Sequence, residues 1–506
     1  MKSRTWMWTT VVYLFAALAM SVGMAAQNNP SQEHKHKHHQ YKLIDLGTFG
    51  GTNSYVPALL VSINSRGAVI VEADTTIPDP YYPNCWQPDC LVNHTGIWQD
   101  GVLTDLGALP GVNSAGPTWI NDRGMVVGGS ENGVIDPLNG IPAVRAVVWK
   151  HGQIIDLGTL GGYESSAQAI NNRGQVAGIA LNTILDPFEA RLDPPNLFCC
   201  GVTQMHAFLW QHGPIQDLGT LGGPDSAGMF LNERGQVAGV SYTSSTPNPG
   251  TGIPTQDPFL WDNGRMIDLG TLGGTAGWPY GLNNRGQVTG QSNLADDVHF
   301  HAFLWDRGVL KDLGTLGGDK SSARWINDAG EVVGRAELHP GSTRRHGFLW
   351  KDGAMIDLGI PAGGTCGTAY AINSSEQIVG DWGICGGTNY GFLWENGGPI
   401  VDLQTLVLPG SDVTISETNY INDAGEISGF GTDSNGDQRA ILLIPCDEHH
   451  PGQCDDNSMI EAPTPRTSGP ATISQGSESP AGTDNPSRNR FGRGYHLPGQ
   501  PAAPRD

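Results

Sequence analysis

One period governs this sequence. An Asp-Leu step recurs at Asp45, Asp105, Asp156, Asp217, Asp268, Asp312, Asp357 and Asp402, at intervals of 60, 51, 61, 51, 44, 45 and 45 residues. Between these steps an Asn closes one apolar run (Asn64, Asn121, Asn171, Asn232, Asn283, Asn327, Asn373, Asn422) and a Trp closes another (Trp98, Trp149, Trp210, Trp261, Trp305, Trp350, Trp394). A unit this short cannot bury its own apolar face, so neighbouring units must stack to share a core.

Each unit reads as four short strands, as in Ser322 to Asn327, Glu331 to Gly334, Gly347 to Trp350 and Met355 to Gly359. The 71 Gly and 34 Pro of the 506 residues fit many strands joined by tight turns. Asn327 first and Gly330 fourth suit a type I turn, in which the Asn side chain bonds the backbone ahead of it. Glu376 replaces that Gly in the seventh unit, where the turn is expected to differ.

The Phe-Leu-Trp strands are apolar at consecutive positions, which predicts burial of both faces. An open sheet would leave one face wet; blades stacked face to face around an axis bury both. The fold expected over 41–444 is therefore all-β, an eight-bladed β-propeller of four-stranded blades. Its last unit (Thr414 to Asn422, Glu426 to Gly429, Ala440 to Ile444) lacks a fourth strand, which Tyr41 to Leu46 would supply, closing the ring and removing free edges. An open β-solenoid is the competing fold.

The opening segment runs from Lys2 and Arg4 through apolar Trp6 to Met24 into Ala25 and Ala26, the order of a secretory signal peptide over 1–26. An uncleaved membrane anchor is the alternative. Residues 27–40, with His34, His36, His38 and His39, read as a disordered leader able at most to bind metal loosely, and 445–506 as a disordered Pro/Ser/Gly-rich tail. The mature chain is expected to be secreted, extracellular or periplasmic, free of membrane, and monomeric.

Eight cysteines fall as local pairs, and an oxidising compartment permits disulfides, with Cys85 and Cys90, Cys366 and Cys385, Cys446 and Cys454 as candidates; eight cysteines allow 105 pairings, and the adjacent Cys199 and Cys200 would need a strained ring if joined to each other. A formal charge of −22, with 28 Lys and Arg spread along the chain, disfavours a nucleic-acid partner.

The steps His206-Ala207-Phe208 and His301-Ala302-Phe303, with the Asp-Leu-Gly-Thr-Leu-Gly-Gly link at 156–162, 217–223, 268–274 and 312–318, resemble the HAF-repeat family of extracellular repeat proteins. Other units depart from the step, as at Ala146-Val147-Val148, Asp257-Pro258-Phe259, His346-Gly347-Phe348 and Tyr390-Gly391-Phe392, so the His is optional. The resemblance spans 41–444. It implies an extracellular, propeller-like protein of uncharacterised role and hands over no catalytic residue.

Unit length varies in the connection between second and third strands, long in the first four units. Insertions on one face of a repeat array often mark a binding face. Tyr81, Tyr82, Trp86, Phe188 and Phe198 on those connections are the candidate ligand contacts, unless they pack their own loops. The repeated Asp (Asp156, Asp217, Asp268, Asp312) is read as structural, accepting from the Gly-rich link, as are Asn171, Asn232, Asn283, Asn327 and Trp210, Trp261, Trp305, Trp350. Asp433 to Asp437 resembles a calcium-loop fragment without its closing Glu and reads as a hairpin turn. No metal site, cofactor or catalytic motif is read from the sequence. The functional expectation is a non-enzymatic scaffold binding carbohydrate or protein through the loop-rich face of blades 1–4. The alternatives are a lyase or glycosidase with a pocket at the channel, and a purely structural surface protein.

Overall fold

The computed structural model describes residues 37–57, 60–188, 202–450, 454 and 459–461. Among them the secondary structure is β, with a single 3-10 turn at Leu403–Leu406. The segment expected to be a signal peptide lies outside the described residues.

Four-strand antiparallel runs follow one another along the chain. The fourth is typical: Ser226–Leu231, Val237–Tyr242, Gln256–Asp262 and Arg265–Asp268 pair in sequence order. Some runs stand alone as four-stranded sheets, and two eight-stranded sheets are each a pair of runs joined by one parallel bridge, Gln256 to Ala276 and Arg345 to Cys366. Face-to-face stacking of such sheets is the architecture of a β-propeller. The final run takes its outer strand from the other end of the chain. Tyr41–Asp45 pairs antiparallel with Gln438–Pro445, Tyr41 opposite Pro445 and Asp45 opposite Ile441.

The core lies between runs, because each sheet buries both faces against its neighbours. Ala169, Ala177 and Leu209 of the third run pack with Leu231, Val237, Phe259 and Trp261 of the fourth. Leu46, Ala440, Leu442 and Ile444 pack with Ile63, Val69 and Val71 of the first. Phe259, Leu260 and Trp261 are all buried, as consecutive apolar positions require.

The turn after each first strand is built by its Asn. Asn232 Oδ1 accepts from the amides of Arg234 and Gln236, and Gly235 donates to the Asn232 carbonyl with φ +82°. In the seventh run Glu376 takes the same left-handed φ, +58°, and Asn373 still accepts from Ser375 and Gln377. The turn there keeps its left-handed fourth residue and its Asn side-chain bonds without glycine, and differs, as expected, in lacking the amide-to-carbonyl bond that closes the turn in the other seven runs.

The same Asn side chains also link the runs. Each Nδ2 donates to the carbonyl of the next Asn, in the order 64, 121, 171, 232, 283, 327, 373, 422, and Asn422 donates back to Asn64, at 2.9–3.2 Å throughout.

Order extends past both expected boundaries of the repeat region. Lys37–His39 pairs antiparallel with Met459–Glu461. His38 is fully buried, with Nδ1 2.8 Å from Glu395 Oε1, and Cys446 is bonded to Cys454. The leader and tail read as disordered therefore each contribute a strand; a short pairing between distant segments leaves no local signal.

Candidate functional site

The innermost strands are where side chains from different runs converge. From the second run to the eighth, the register against the second strand slips by one residue near its end, at Thr118, Gln168, Met229, Tyr280, Arg324, Tyr370 and Asn419. Such a bulge re-aims side chains that strict alternation would bury within the sheet. The second-strand glycine opposite is required: a Cβ on Gly239 would collide with the Ala227 carbonyl, and one on Gly290 with that of Trp278.

The residue after the bulge alternates in size around the runs. Trp119, Phe230, Trp325 and Tyr420 are separated by Ser62, Ala169, Gly281 and Ala371. The large rings meet: Trp119 and Phe230 have centroids 6.5 Å apart, Trp119 and Trp325 6.1 Å, and Trp325 and Tyr420 5.3 Å. Trp119 and Trp325 belong to the second and sixth runs, so the aromatic cluster joins sheets distant in sequence. Small residues between the large ones make room for it.

On the strand side nearer the long connections, the runs from fifth to eighth carry polar groups instead. The bulged residues there are Tyr280, Arg324, Tyr370 and Asn419. Gln291, Arg335 and Asp381 stand just after the second-strand glycine in three consecutive runs. The Arg324 guanidinium lies 5.2 Å over the Tyr280 ring. Arg324 is 6% exposed, and its Nε and Nη1 have no hydrogen-bond partner. Both amide atoms of Gln291 and of Asn419 are likewise buried and unpartnered, as are Asp381 Oδ1, Arg345 Nε and Trp382 Nε1. Buried polar atoms are nearly always paired, so each of these could receive a solvent or ligand group; others, such as Asn93 Oδ1, Thr95 Oγ1 and Asp225 Oδ2, lie on the first four runs.

The ionisation of the cluster follows from its burial. Burial first, then the nearby Arg324 and Arg345, push the Arg335 guanidinium down to about 9. Burial, then Asp381, push the Glu417 carboxyl up to about 8, with Arg324 opposing. Burial also raises Asp381, against Arg345, Arg335 and Arg324. Burial thus holds both Glu417 and Asp381 back from ionising, beside three guanidiniums.

The aromatics expected to contact ligand are largely occupied. Trp86 is fully buried and donates from Nε1 to Glu72 Oε1 at 3.0 Å, while Gln87 donates to the same oxygen at 2.6 Å. Burial lifts the Glu72 carboxyl to about 8, a cost these two donors partly offset. Tyr81 donates to Asn113 at 3.1 Å, and Phe188 packs edge-on against Tyr242. Only Tyr82 is exposed, at 78%, and Phe198 lies outside the described residues. Trp86 and Phe188 are corrected to packing residues: the long connections need an apolar anchor of their own. Much of the added length is ordered ribbon, since Val69–Pro78, Val126–Ile135 and Val176–Leu185 are ten-residue strands whose ends pair onward, as Leu185 does with Thr203.

Disulfides join Cys85 to Cys90, Cys366 to Cys385 and Cys446 to Cys454; Cys199 and Cys200 lie outside the described residues. Each link Asp accepts from an amide two residues on, as Asp217 Oδ1 does from Gly219 at 2.8 Å. Four of them also meet a His of the third strand: His94 with Asp105, His206 with Asp217, His301 with Asp312 and His346 with Asp357. Arg145 and Arg439 take that place beside Asp156 and Asp45. In the fourth run an Asp does, and burial, then Asp268, push Asp257 up to about 7. Asp433 holds its turn by accepting from Asn435 and Asp437, with Arg439 on its other oxygen.

A groove of about 530 Å³ opens elsewhere, beside the tight turns of the fifth and sixth runs, with Arg285, Lys311, Trp350 and Lys351 in its wall. Its two lysines are already engaged: Lys311 lies over the Trp350 ring, and Lys351 pairs with Glu331 and Glu376.

No family profile matches the chain, and no curated protein matches it. Among solved structures it is similar to Pyrococcus horikoshii acylaminoacyl peptidase (12% identity, TM-score 0.38, 76% of this chain and 58% of that one). It is similar also to the β-propeller domain of the Trilobed protease from Pyrococcus furiosus (9%, 0.38, 69% and 96%) and to an Aleuria aurantia lectin (11%, 0.27, 83% and 100%). The chain thus spans little more than half of the peptidase's length. At this level of similarity the strand pairing, not the likeness, carries the fold.

Proposed function

We propose that this chain is an exported, non-enzymatic binding scaffold of HAF-repeat type: an eight-bladed propeller that receives carbohydrate on the face of its long connections. The ring reading is supported by the circuit of Asn bonds returning from Asn422 to Asn64, and by Tyr41–Asp45 filling the outer edge of the last run. Export is supported by three disulfides. One observation carries the binding site: on the fifth to eighth runs, buried donors and acceptors without a partner accompany Arg324 over the Tyr280 ring and the charges of Arg335, Arg345, Asp381 and Glu417. Saccharides present dense hydroxyls that amides and guanidiniums satisfy, with tyrosine rings alongside. This moves the site from the first four runs to the last four.

The charge coupling of Glu417 and Asp381, both raised by burial, favours a second reading, a glycosidase or lyase, since paired carboxyls serve acid and base roles. A polysaccharide panel separates the two. Saturable binding without new reducing or unsaturated ends is expected; turnover abolished by Glu417→Gln would replace the scaffold reading, and absence of any saturable glycan binding would end both.

A further inference from the structure

Resting on that reading, we propose that the cluster takes the carboxylate of an acidic saccharide, a uronate unit, with Arg324 as its anchoring cation and Arg335 and Arg345 flanking. Arg324 is buried and stacked on Tyr280; its charge reaches Asp381 and Glu417, but it forms no ion pair among the described residues. Two of its nitrogens have no partner at all, and Arg345 Nε is also unpartnered. A buried guanidinium left unpaired is strongly destabilising, whereas one that awaits an anion is offset once the anion binds.

The charges inside the cluster do not resolve this by themselves. Asp381 Oδ2 already accepts from Asn389 Nδ2 at 2.7 Å, and its Oδ1 is unpartnered. Burial raises the Glu417 carboxyl and so weakens it as a counter-charge to the arginines. The depression of Arg335 has the same origin: burial beside two like charges. An incoming anion would relieve all three guanidiniums at once.

The chemistry of the surrounding groups selects the carrier of that anion. A guanidinium fork matches a planar carboxylate in bidentate geometry. Asn419 and Gln291 each offer a free donor and a free acceptor, and Trp382 Nε1 a free donor, a set suited to hydroxyls that both give and take hydrogen bonds. Tyr280 and Tyr370 supply ring faces beside the arginines.

The test titrates the purified full chain with trigalacturonate, its fully methyl-esterified form and monomeric galacturonate, by calorimetry. The expected result is at least about tenfold tighter binding of trigalacturonate than of its ester, with R324Q erasing that difference while the weaker binding of the ester persists. Monomer competing for the same site separates recognition of a single unit from that of a chain. Equal affinity for acid and ester on the unaltered protein, which needs no variant to fold, overturns the carboxylate assignment and leaves saccharide binding standing. An R324Q chain with native circular dichroism and an undiminished preference for the acid overturns the role of Arg324. Absence of binding to either form, on a chain that binds neutral glycans, overturns this inference alone; absence of binding to any glycan overturns the functional reading with it.

Discussion

A single residue type, repeated, does different work according to the partner its run supplies. His206 is raised by its hydrogen bond to Asp217, against the desolvation that would lower it, and Asp217 is lowered by the same bond, again against desolvation. The pair therefore stabilises between the two ordinary pKa values: the Asp contribution is lost as pH falls through its depressed value, the His contribution as pH rises through its raised one. Asp257 breaks the pattern. Its folded pKa lies near 7 against an ordinary 3.8, so the folded chain holds a proton that the unfolded chain releases, and stability falls as pH rises across that window. Replacing Asp257 by Asn keeps the shape and offers an amide donor to Asp268. At about pH 8 the variant is expected to be more stable by about 1–3 kcal/mol in urea denaturation, and near pH 4 by almost nothing. An equal gain at both pH values would mean that the carboxyl pair is not its source. The histidine reads as optional in sequence because its partner, eleven positions on, is reached only when two strands pair.

At the scale of the element, the four strands and both turns of each unit were legible, since apolar runs bounded by Asn, Gly and Trp fix where strands start and stop. The bulge was not. A register slip is a relation between two strands, and alternation along one strand cannot report it. A trace of it was present all the same: the second-strand glycine, at Gly178, Gly239, Gly290, Gly334, Gly380 and Gly429, marks where a carbonyl of the bulged strand approaches too closely for a Cβ. The size alternation two positions before each Asn is present in the sequence as well, but only the stacked sheets show that the large rings meet. Trp325→Ala is expected to cost about 2–4 kcal/mol, and Trp119→Ala a similar amount. Because the two rings touch, the double variant should cost less than the sum. Strictly additive losses in thermal or chemical denaturation would show that the rings do not share a contact.

For the whole molecule, the question is what ties the first and last runs together. Tyr41 is buried among Leu393, Leu403, Leu406 and Leu443, and its strand covers the edge that Gln438–Pro445 would otherwise present. A chain starting at Leu46 should therefore melt lower by on the order of 10 °C or more and self-associate through the bared edge. An unchanged melting temperature in a monomeric truncated chain would remove the basis for ring closure. The sequence by itself determined the strands, their number per unit, the turns between them and the outer strand lent by the opening segment, because these depend on local chemistry and on counting. Tertiary structure alone decided where polar groups meet. Tyr280, Arg324, Tyr370 and Asn419 are separated by some 40–50 residues each and become neighbours only when consecutive sheets stack with the same slip in register. By the same stacking Trp86, exposed in prospect on its long connection, became the buried anchor of that connection.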